Sequence, residues 1–261
     1  MSAPDVTAPL LVATHLDKTF GNGTRAVADV SLSVAPGEIL GIVGESGSGK
    51  STTGKMLLGL MAPDKGSVTF DGVDLATVGR RELRRLRAKL QVVPQNPQTS
   101  LNPRITVQSS IEFNMRAHGV PSAKRRTRVD ELLERVGLTP AHAERYPHEL
   151  SGGQLQRIAI ARALSTDPRL VVCDEAVSAL DKSVQAQVLN LIADLQRDTG
   201  VAFVFISHDL AVVEHISDNV VVMFRGEVVE RGPASQVWAA PAHAYTAALL
   251  AATPGASLYA A

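Results

Sequence analysis

Cysteine is almost missing from this 261-residue chain: Cys173 is the only one. No disulfide can form within the chain, which fits a reducing compartment. Aromatic residues are scarce at 4%, while Val, Leu, Ile and Ala are plentiful, a composition suited to an α/β core rather than a β-sandwich. Net charge is lacking too: 26 Lys and Arg balance 26 Asp and Glu. That removes the global electrostatic case for binding nucleic acid. Long apolar runs are missing; one of the longest, residues 220–224, is far too short to cross a bilayer. Any membrane role is therefore expected to come through partner subunits. The first twenty residues have neither a basic n-region nor a clean apolar run, so no secretory signal is expected. No solenoid repeat or low-complexity tract is present.

What is there reads as alternating strands and helices. Residues 10–13 and 27–34 alternate like short strands around a Gly21-Asn22-Gly23 turn. Residues 38–43 form an apolar strand that runs into a glycine loop, and 51–60 turn helical. Residues 67–70 and 73–75 flank Asp71-Gly72 as a hairpin. The basic stretch 80–89 reads as a solvated helix face. After a strand at 91–93, the segment 94–104 holds too much Pro and Asn for either helix or strand. Helical spacing occupies 105–145 as a separate lobe, and 150–164 is a further helix. Strands at 170–173, 202–206 and 220–224 then alternate with helices at 183–199 and 210–216. That alternation predicts a parallel sheet with crossover helices. The Ala-rich last twenty-five residues are expected to be helical in part.

Two stretches carry chemistry. Gly44-Glu45-Ser46-Gly47-Ser48-Gly49-Lys50-Ser51 matches the G-x-x-x-x-G-K-[ST] phosphate loop. Its glycines let successive N–H groups converge on phosphate oxygens, and the following helix points its positive end at the same anion. Lys50 reaches the β- and γ-phosphates, and the Ser51 hydroxyl ligates Mg²⁺. The second stretch is an apolar strand ending in Asp174-Glu175. A carboxylate at a strand's C-terminal end can hold Mg²⁺ through water beside such a loop, which suits Asp174. Glu175 is then placed to orient or deprotonate an attacking water. Cys173, inside that strand, reads as a buried, inert small residue.

A third stretch, Leu150-Ser151-Gly152-Gly153-Gln154, joins the other two, and together they resemble the ATPase domain of ATP-binding-cassette (ABC) proteins. Ser151 and the Gly152-Gly153 backbone offer donors at a helix start, a second anion site. The resemblance implies a phosphate-loop cassette fold: an N-terminal antiparallel β-subdomain, a mostly parallel RecA-like core sheet and an inserted helical subdomain. One ATPase domain is expected over 1–261. Its core with the β-subdomain would comprise 1–94 and 163–235, its helical part 95–162 and its tail 236–261. The resemblance implies that ATP and Mg²⁺ are bound by Phe20 (stacked on adenine), by Gly44, Glu45, Ser46, Gly47, Ser48, Gly49, Lys50, Ser51 and Thr52, and by Gln95, Asp174 and His208. From the opposite subunit would come Ser151, Gly152, Gly153, Gln154 and Asp181. Catalysis falls to Glu175, His208, Lys50 and Gln95, and the metal to Ser51, Gln95 and Asp174.

Further segments are similar to the dipeptide, oligopeptide and nickel importer ATPases: Thr99-Ser100-Leu101-Asn102-Pro103-Arg104, Val177 to Asp181 with Gln185 to Val188, and Pro241-Ala242-His243-Ala244-Tyr245-Thr246-Ala247-Ala248-Leu249-Leu250. The resemblance implies a peptide importer, with nickel or another small solute as the alternative. Implied partners are a second, identical or paralogous ATPase in a head-to-tail dimer, two transmembrane permeases, and indirectly an extracytoplasmic solute-binding protein. The place implied is the cytoplasmic face of the inner membrane. A soluble cassette of DNA repair is disfavoured by the absence of sustained heptads, and a small-molecule kinase by Leu150 to Gln154 and His208. Two departures stand out. Ala176 occupies the position where the family has Pro, which is expected to loosen the turn. The tail also lacks the cysteine-bearing extension of many relatives; with Cys173 the only cysteine, and in a strand, no iron–sulfur cluster is expected.

Overall fold

The computed structural model describes residues 8–252. Two sheets organise it. The first holds four strands in the order β2-β1-β4-β5: β1 (Leu11–Thr19), β2 (Arg25–Val34), β4 (Lys65–Phe70) and β5 (Val73–Asp74). All its pairings are antiparallel. The second holds six strands in the order β10-β9-β3-β8-β7-β6: β3 (Ile39–Val43), β6 (Leu90–Val93), β7 (Leu170–Asp174), β8 (Ala202–Ser207), β9 (Asn219–Phe224) and β10 (Glu227–Pro233). Its strands pair in parallel except at β9–β10. The α/β cassette of two sheets and helices thus matches the expected fold class.

Burial explains why the core strands read as apolar runs. Every residue of β3 and β8 is buried, because packed layers cover both faces of the sheet. Alternation divides those residues between two cores. Val43, Val171, Phe203 and Phe205 face the helices of one layer. Leu40, Ile42, Val204 and Ile206 pack with Leu11, Leu16 and Phe70 of the antiparallel sheet. On the helical side lie α4 (Val107–Ala117), α5 (Ser122–Arg135) and α6 (Gly152–Leu164). In α4 the buried Val107, Ile111 and Met115 recur at helical spacing. Two more helices, α7 (Lys182–Thr199) and α8 (Leu210–Ile216), follow β7 and β8. The basic helix α2 (Arg80–Lys89) buries only Leu86 among its ten residues, as a solvated face should.

Several expectations need correction. Residues 94–104 are not wholly irregular, because Pro97–Ser100 forms one helical turn, α3. Asn96 caps it by accepting from the Gln98 and Thr99 N–H groups, and Pro97 occupies a first-turn position where its missing donor costs nothing. Strand β1 runs well past Ala13, with register shifts between Ala13 and Thr19 that break its alternation. The helix after the phosphate loop, α1, spans Lys50–Leu57 and stops short of residue 60. Strand β10 was not expected at all. The Ala-rich end contributes α9 (Ala234–Ala239) and α10 (Ala244–Ala251), and the rest of that expectation, residues 253–261, lies outside the described residues.

Candidate active site

The phosphate loop leaves β3 and ends in α1, as the strand–loop–helix pattern requires. Two glycines are obligatory there. Gly44 sits at φ 154°, and an added Cβ would lie 2.1 Å from the Met223 carbonyl oxygen; Gly49 sits at φ 100°, where a Cβ would meet the Ala26 carbonyl oxygen at 2.3 Å. Backbone crowds both positions, so no side chain can be accommodated by rotation. Lys50 is only 4% exposed. Its ammonium donates to the Gly44 and Glu45 carbonyls, each at 2.7 Å, and lies 3.4 Å from Ser48 Oγ. Burial holds that ammonium below its ordinary pKa range, against the pull of the Glu175, Asp174 and Glu45 carboxylates.

Asp174 ends β7, two strands from β3 across β8, and accepts a hydrogen bond from Ser51 Oγ at 2.9 Å. Burial pushes its carboxyl above the ordinary range; the Ser51 bond opposes this and the Glu175 charge adds to it. Glu175 follows in a left-handed conformation, φ 47°, with its N–H bonded to the Ile206 carbonyl at 2.9 Å. This conformation is uncommon for a non-glycine residue. Its carboxylate collects two partners from different elements. Gln95 Nε2 donates at 2.8 Å, and His208 Nδ1 lies 3.3 Å from Glu175 Oε1. Residues 80 and 33 positions away in sequence thus converge on one carboxylate. The turn after Glu175 is held despite Ala176: the Ser178 N–H and Oγ both approach the Glu175 carbonyl, at 3.1 and 2.9 Å.

The signature segment lies elsewhere. Ser151 caps α6: its Oγ accepts from the Gln154 N–H at 3.3 Å, and Gln154 Oε1 accepts from the Ser151 N–H at 3.0 Å. Gly153 serves close packing as well, because a Cβ there would meet Val184 Cγ1 at 2.5 Å. Gly152 starts the helix beside Leu180. Asp181 caps α7 by accepting from the Val184 N–H at 2.9 Å. Among the described residues, no hydrogen bond or ion pair joins Ser151, Gln154 or Asp181 to the phosphate loop of the same chain. Phe20, 39% exposed, follows β1 on the hairpin whose Ala26 carbonyl touches Gly49. Thr52 lies on α1; Ser46 and Gly47 lie on the loop before it. One neighbour of the loop was missed: Tyr245 of α10, whose phenol oxygen accepts from the Glu45 N–H at 3.1 Å. The only signal was the segment 241–250, whose likeness to importer ATPases assigns it no place at the loop.

The sequence profile of the family described as ABC transporter matches residues 27–178. That stretch includes the phosphate loop, Gln95, the Ser151 turn and Glu175. The chain belongs to the ABC transporter family. Its ABC fold also aligns with solved cassettes. For cbiO1 from Clostridium perfringens, part of the ABC transporter complex cbiONQ, the TM-score is 0.81 at 29% identity, covering 89% of this chain and 91% of that one. For the cassette MJ0796, in a dimeric post-hydrolysis state bound to ADP and Pi, it is 0.76 at 29% identity, covering 86% and 98%. The glutathione import ATP-binding protein GsiA of Escherichia coli K12 is 53% identical over 231 residues. GsiA of Pectobacterium atrosepticum is 52% identical over the same length. Those alignments cover 88% of this chain but 37% of each relative, so the chain spans little more than a third of their length.

Among those cassettes, MJ0796 is seen after hydrolysis with ADP and Pi in place. Oxygen donors are available for the hard cation that accompanies a nucleotide. Ser51 Oγ and the Asp174 carboxylate stand together at 2.9 Å, and no group of three or more His, Cys, Asp or Glu suited to a metal occurs among the described residues. That sparse set fits Mg²⁺, which keeps waters and takes the remainder of its shell from phosphates. No helix among the described residues is long and apolar enough to cross a membrane.

Proposed function

We propose that this chain powers an ABC importer of di- or oligopeptides by hydrolysing ATP at the interface of a head-to-tail dimer. The convergence of Gln95 and His208 on Glu175, next to the Ser51–Asp174 pair, carries the hydrolytic half of this reading. Lys50 turns from the Gly44 and Glu45 carbonyls to the β- and γ-phosphates. Phe20 stacks on adenine, and the amides of residues 47–52 surround the phosphates. Ser51 and, through water, Asp174 would hold Mg²⁺ with Gln95 beside them, and the ion would supply neutralisation of the charge on the phosphates. The Glu175 carboxylate takes the proton of the attacking water, the water oxygen bonds the γ-phosphorus, and the bond to ADP breaks. Gln95 and His208 hold Glu175 in line, and His208 also faces the γ-phosphate.

A second ATPase subunit, identical or paralogous, completes each site with Ser151, Gly152, Gly153, Gln154 and Asp181. The capped helix start of α6 supports this, since it presents amides and a hydroxyl at a positive helix end while making no bond to its own phosphate loop. Bound ATP bridges the halves and favours the closed dimer; hydrolysis removes the bridge. The helical lobe, linked through Gln95, passes the motion to two permeases, which hold the chain at the cytoplasmic face of the inner membrane. A solute-binding protein outside delivers cargo. The name of GsiA, a glutathione import protein, favours a peptide-like cargo over nickel.

The test is Glu175→Gln. It should cut ATP turnover by about 10²–10³-fold, retain ATP binding, and elute as a dimer in ATP but not ADP. Turnover at the wild-type rate would remove Glu175 from the chemistry. A variant monomeric in ATP would remove the bridged dimer.

A further inference from the structure

The Gly44–Glu45 peptide of the phosphate loop is gripped at both ends. Its carbonyl, on Gly44, accepts from the Lys50 ammonium at 2.7 Å. Its N–H, on Glu45, donates to the Tyr245 phenol oxygen at 3.1 Å, across 200 residues of sequence. Tyr245 is itself fixed. Its ring lies on Phe224, at the end of β9, with centroids 4.1 Å apart and planes inclined by 30°. Its N–H donates to His243 Nδ1, the cap of α10, at 3.1 Å. The turn that leads into α10 is tied to β10, where the Glu230 carboxylate accepts from the Ala242 N–H at 2.7 Å and the His243 N–H at 3.1 Å. Burial pushes the phenol above its ordinary pKa range, although the Glu45 N–H bond opposes this, so the oxygen that accepts is that of a neutral hydroxyl.

The two grips differ in what nucleotide does to them. Phosphate competes with the Gly44 and Glu45 carbonyls for the three N–H donors of Lys50, whereas the Tyr245 phenol meets the loop from the side of the Glu45 N–H and faces no such competition for its own bond. We infer that Tyr245 is a positioning residue for the phosphate loop: it holds the Gly44–Glu45 peptide while Lys50 moves to the nucleotide, and so sets nucleotide affinity. The Glu45 N–H is thereby taken by the protein, and the amides left to converge on phosphate lie further along the loop. Helix α10 becomes part of the nucleotide site, held there by Glu230.

The inference rests on residues 44–51 being the nucleotide site, and the test separates the two. A net hydrogen bond of about 1 kcal/mol corresponds to about a fivefold change in affinity. Tyr245→Phe, which keeps the ring on Phe224, should weaken binding of a fluorescent ADP analogue with Mg²⁺ about fivefold. KM for ATP should rise with it and kcat should fall less than about twofold. Glu230→Ala, which releases the turn before α10, should weaken binding by a similar factor, and the double variant should be no worse than either single one. Wild-type affinity in Tyr245→Phe, or additive losses in the double variant, would overturn the inference. Lys50→Ala supplies the control. If it loses binding while Tyr245→Phe does not, only the inference falls; if Lys50→Ala binds like wild type, the reading of the loop falls with it.

Discussion

Gly153→Ala tests why the signature segment needs glycine. The added methyl carbon would lie 2.5 Å from Val184 Cγ1 and 3.8 Å from its Cβ and Cγ2. Only the first is a clash, and relieving it requires Val184 to turn or the starts of α6 and α7 to part by about an ångström. Overpacking of this kind costs about 1–3 kcal/mol. The better helix propensity of Ala returns at most about 1 kcal/mol, and less in a first turn. The net cost is therefore about 1–2 kcal/mol, a Tm fall of roughly 2–8 °C for a chain of this size. Both helix starts carry proposed interface groups, Ser151 and Asp181, so ATPase activity should fall as well. Val184→Ala in the same chain makes the exchange nearly volume-conserving. The double variant should recover most of the stability and activity, giving a coupling of about 1–2 kcal/mol in a thermal-unfolding cycle. If the two losses simply add, the Gly153–Val184 contact is not the reason for the glycine.

Asp174→Asn should raise Tm at pH 7 while abolishing hydrolysis. Burial holds the Asp174 carboxyl above its usual value of 3.8 in the folded state. The folded chain therefore keeps a proton that the unfolded chain has released, and stability falls as pH rises from 3.8 through the folded value. The advantage of Asn should accordingly vanish near pH 3.5; a lower Tm for Asn at pH 7 would contradict this. Asp181→Ala removes the cap of the 18-residue helix α7 and should cost about 1 kcal/mol, read as a Tm loss of roughly 2–4 °C. Cys173 is fully buried, and burial first, then the Asp174 charge, pushes its thiol far above the ordinary range. The native protein should resist iodoacetamide at pH 8 and react once unfolded; rapid labelling of the folded chain would contradict the packing of β7.

The chemistry-bearing segments were legible because each demands particular residue types in a fixed order. The loop at residues 44–51 and the acids ending β7 needed only their neighbours to be read, whereas Gln95 and His208 were legible through the family resemblance alone; the structure brings Gln95, Glu175 and His208 together. Strand β10 was not legible, since Glu227-Val228-Val229-Glu230-Arg231 offers two adjacent apolar residues in place of alternation on a largely solvated edge. Its one cue was the Arg225-Gly226 pair, both at positive φ, closing a tight hairpin onto β9. The turn of α3 was hidden for the opposite reason: the Asn and Pro that suggested irregularity are its cap and first turn. The contacts Gly153–Val184 and Tyr245–Glu45 join segments distant in sequence, so no local pattern announces either.

The central claim is that residues 44–51 form one wall of an ATP site whose other wall belongs to a second subunit. Mixing two inactive variants tests it most directly. Glu175→Gln spoils the chemistry on its own loop side. Ser151→Asp keeps the α6 cap, since Asp caps as well as Ser, but sets a carboxylate against the phosphates of the opposite subunit. In a mixed dimer one composite site draws its loop and Glu175 from the Ser151 variant and its Ser151 from the Glu175 variant, so it is intact. Equal mixing makes half the dimers mixed, each with one intact site of two, and ATPase activity should return to about a quarter of wild type. Activity that stays at the level of the separate variants at every ratio would contradict the shared site.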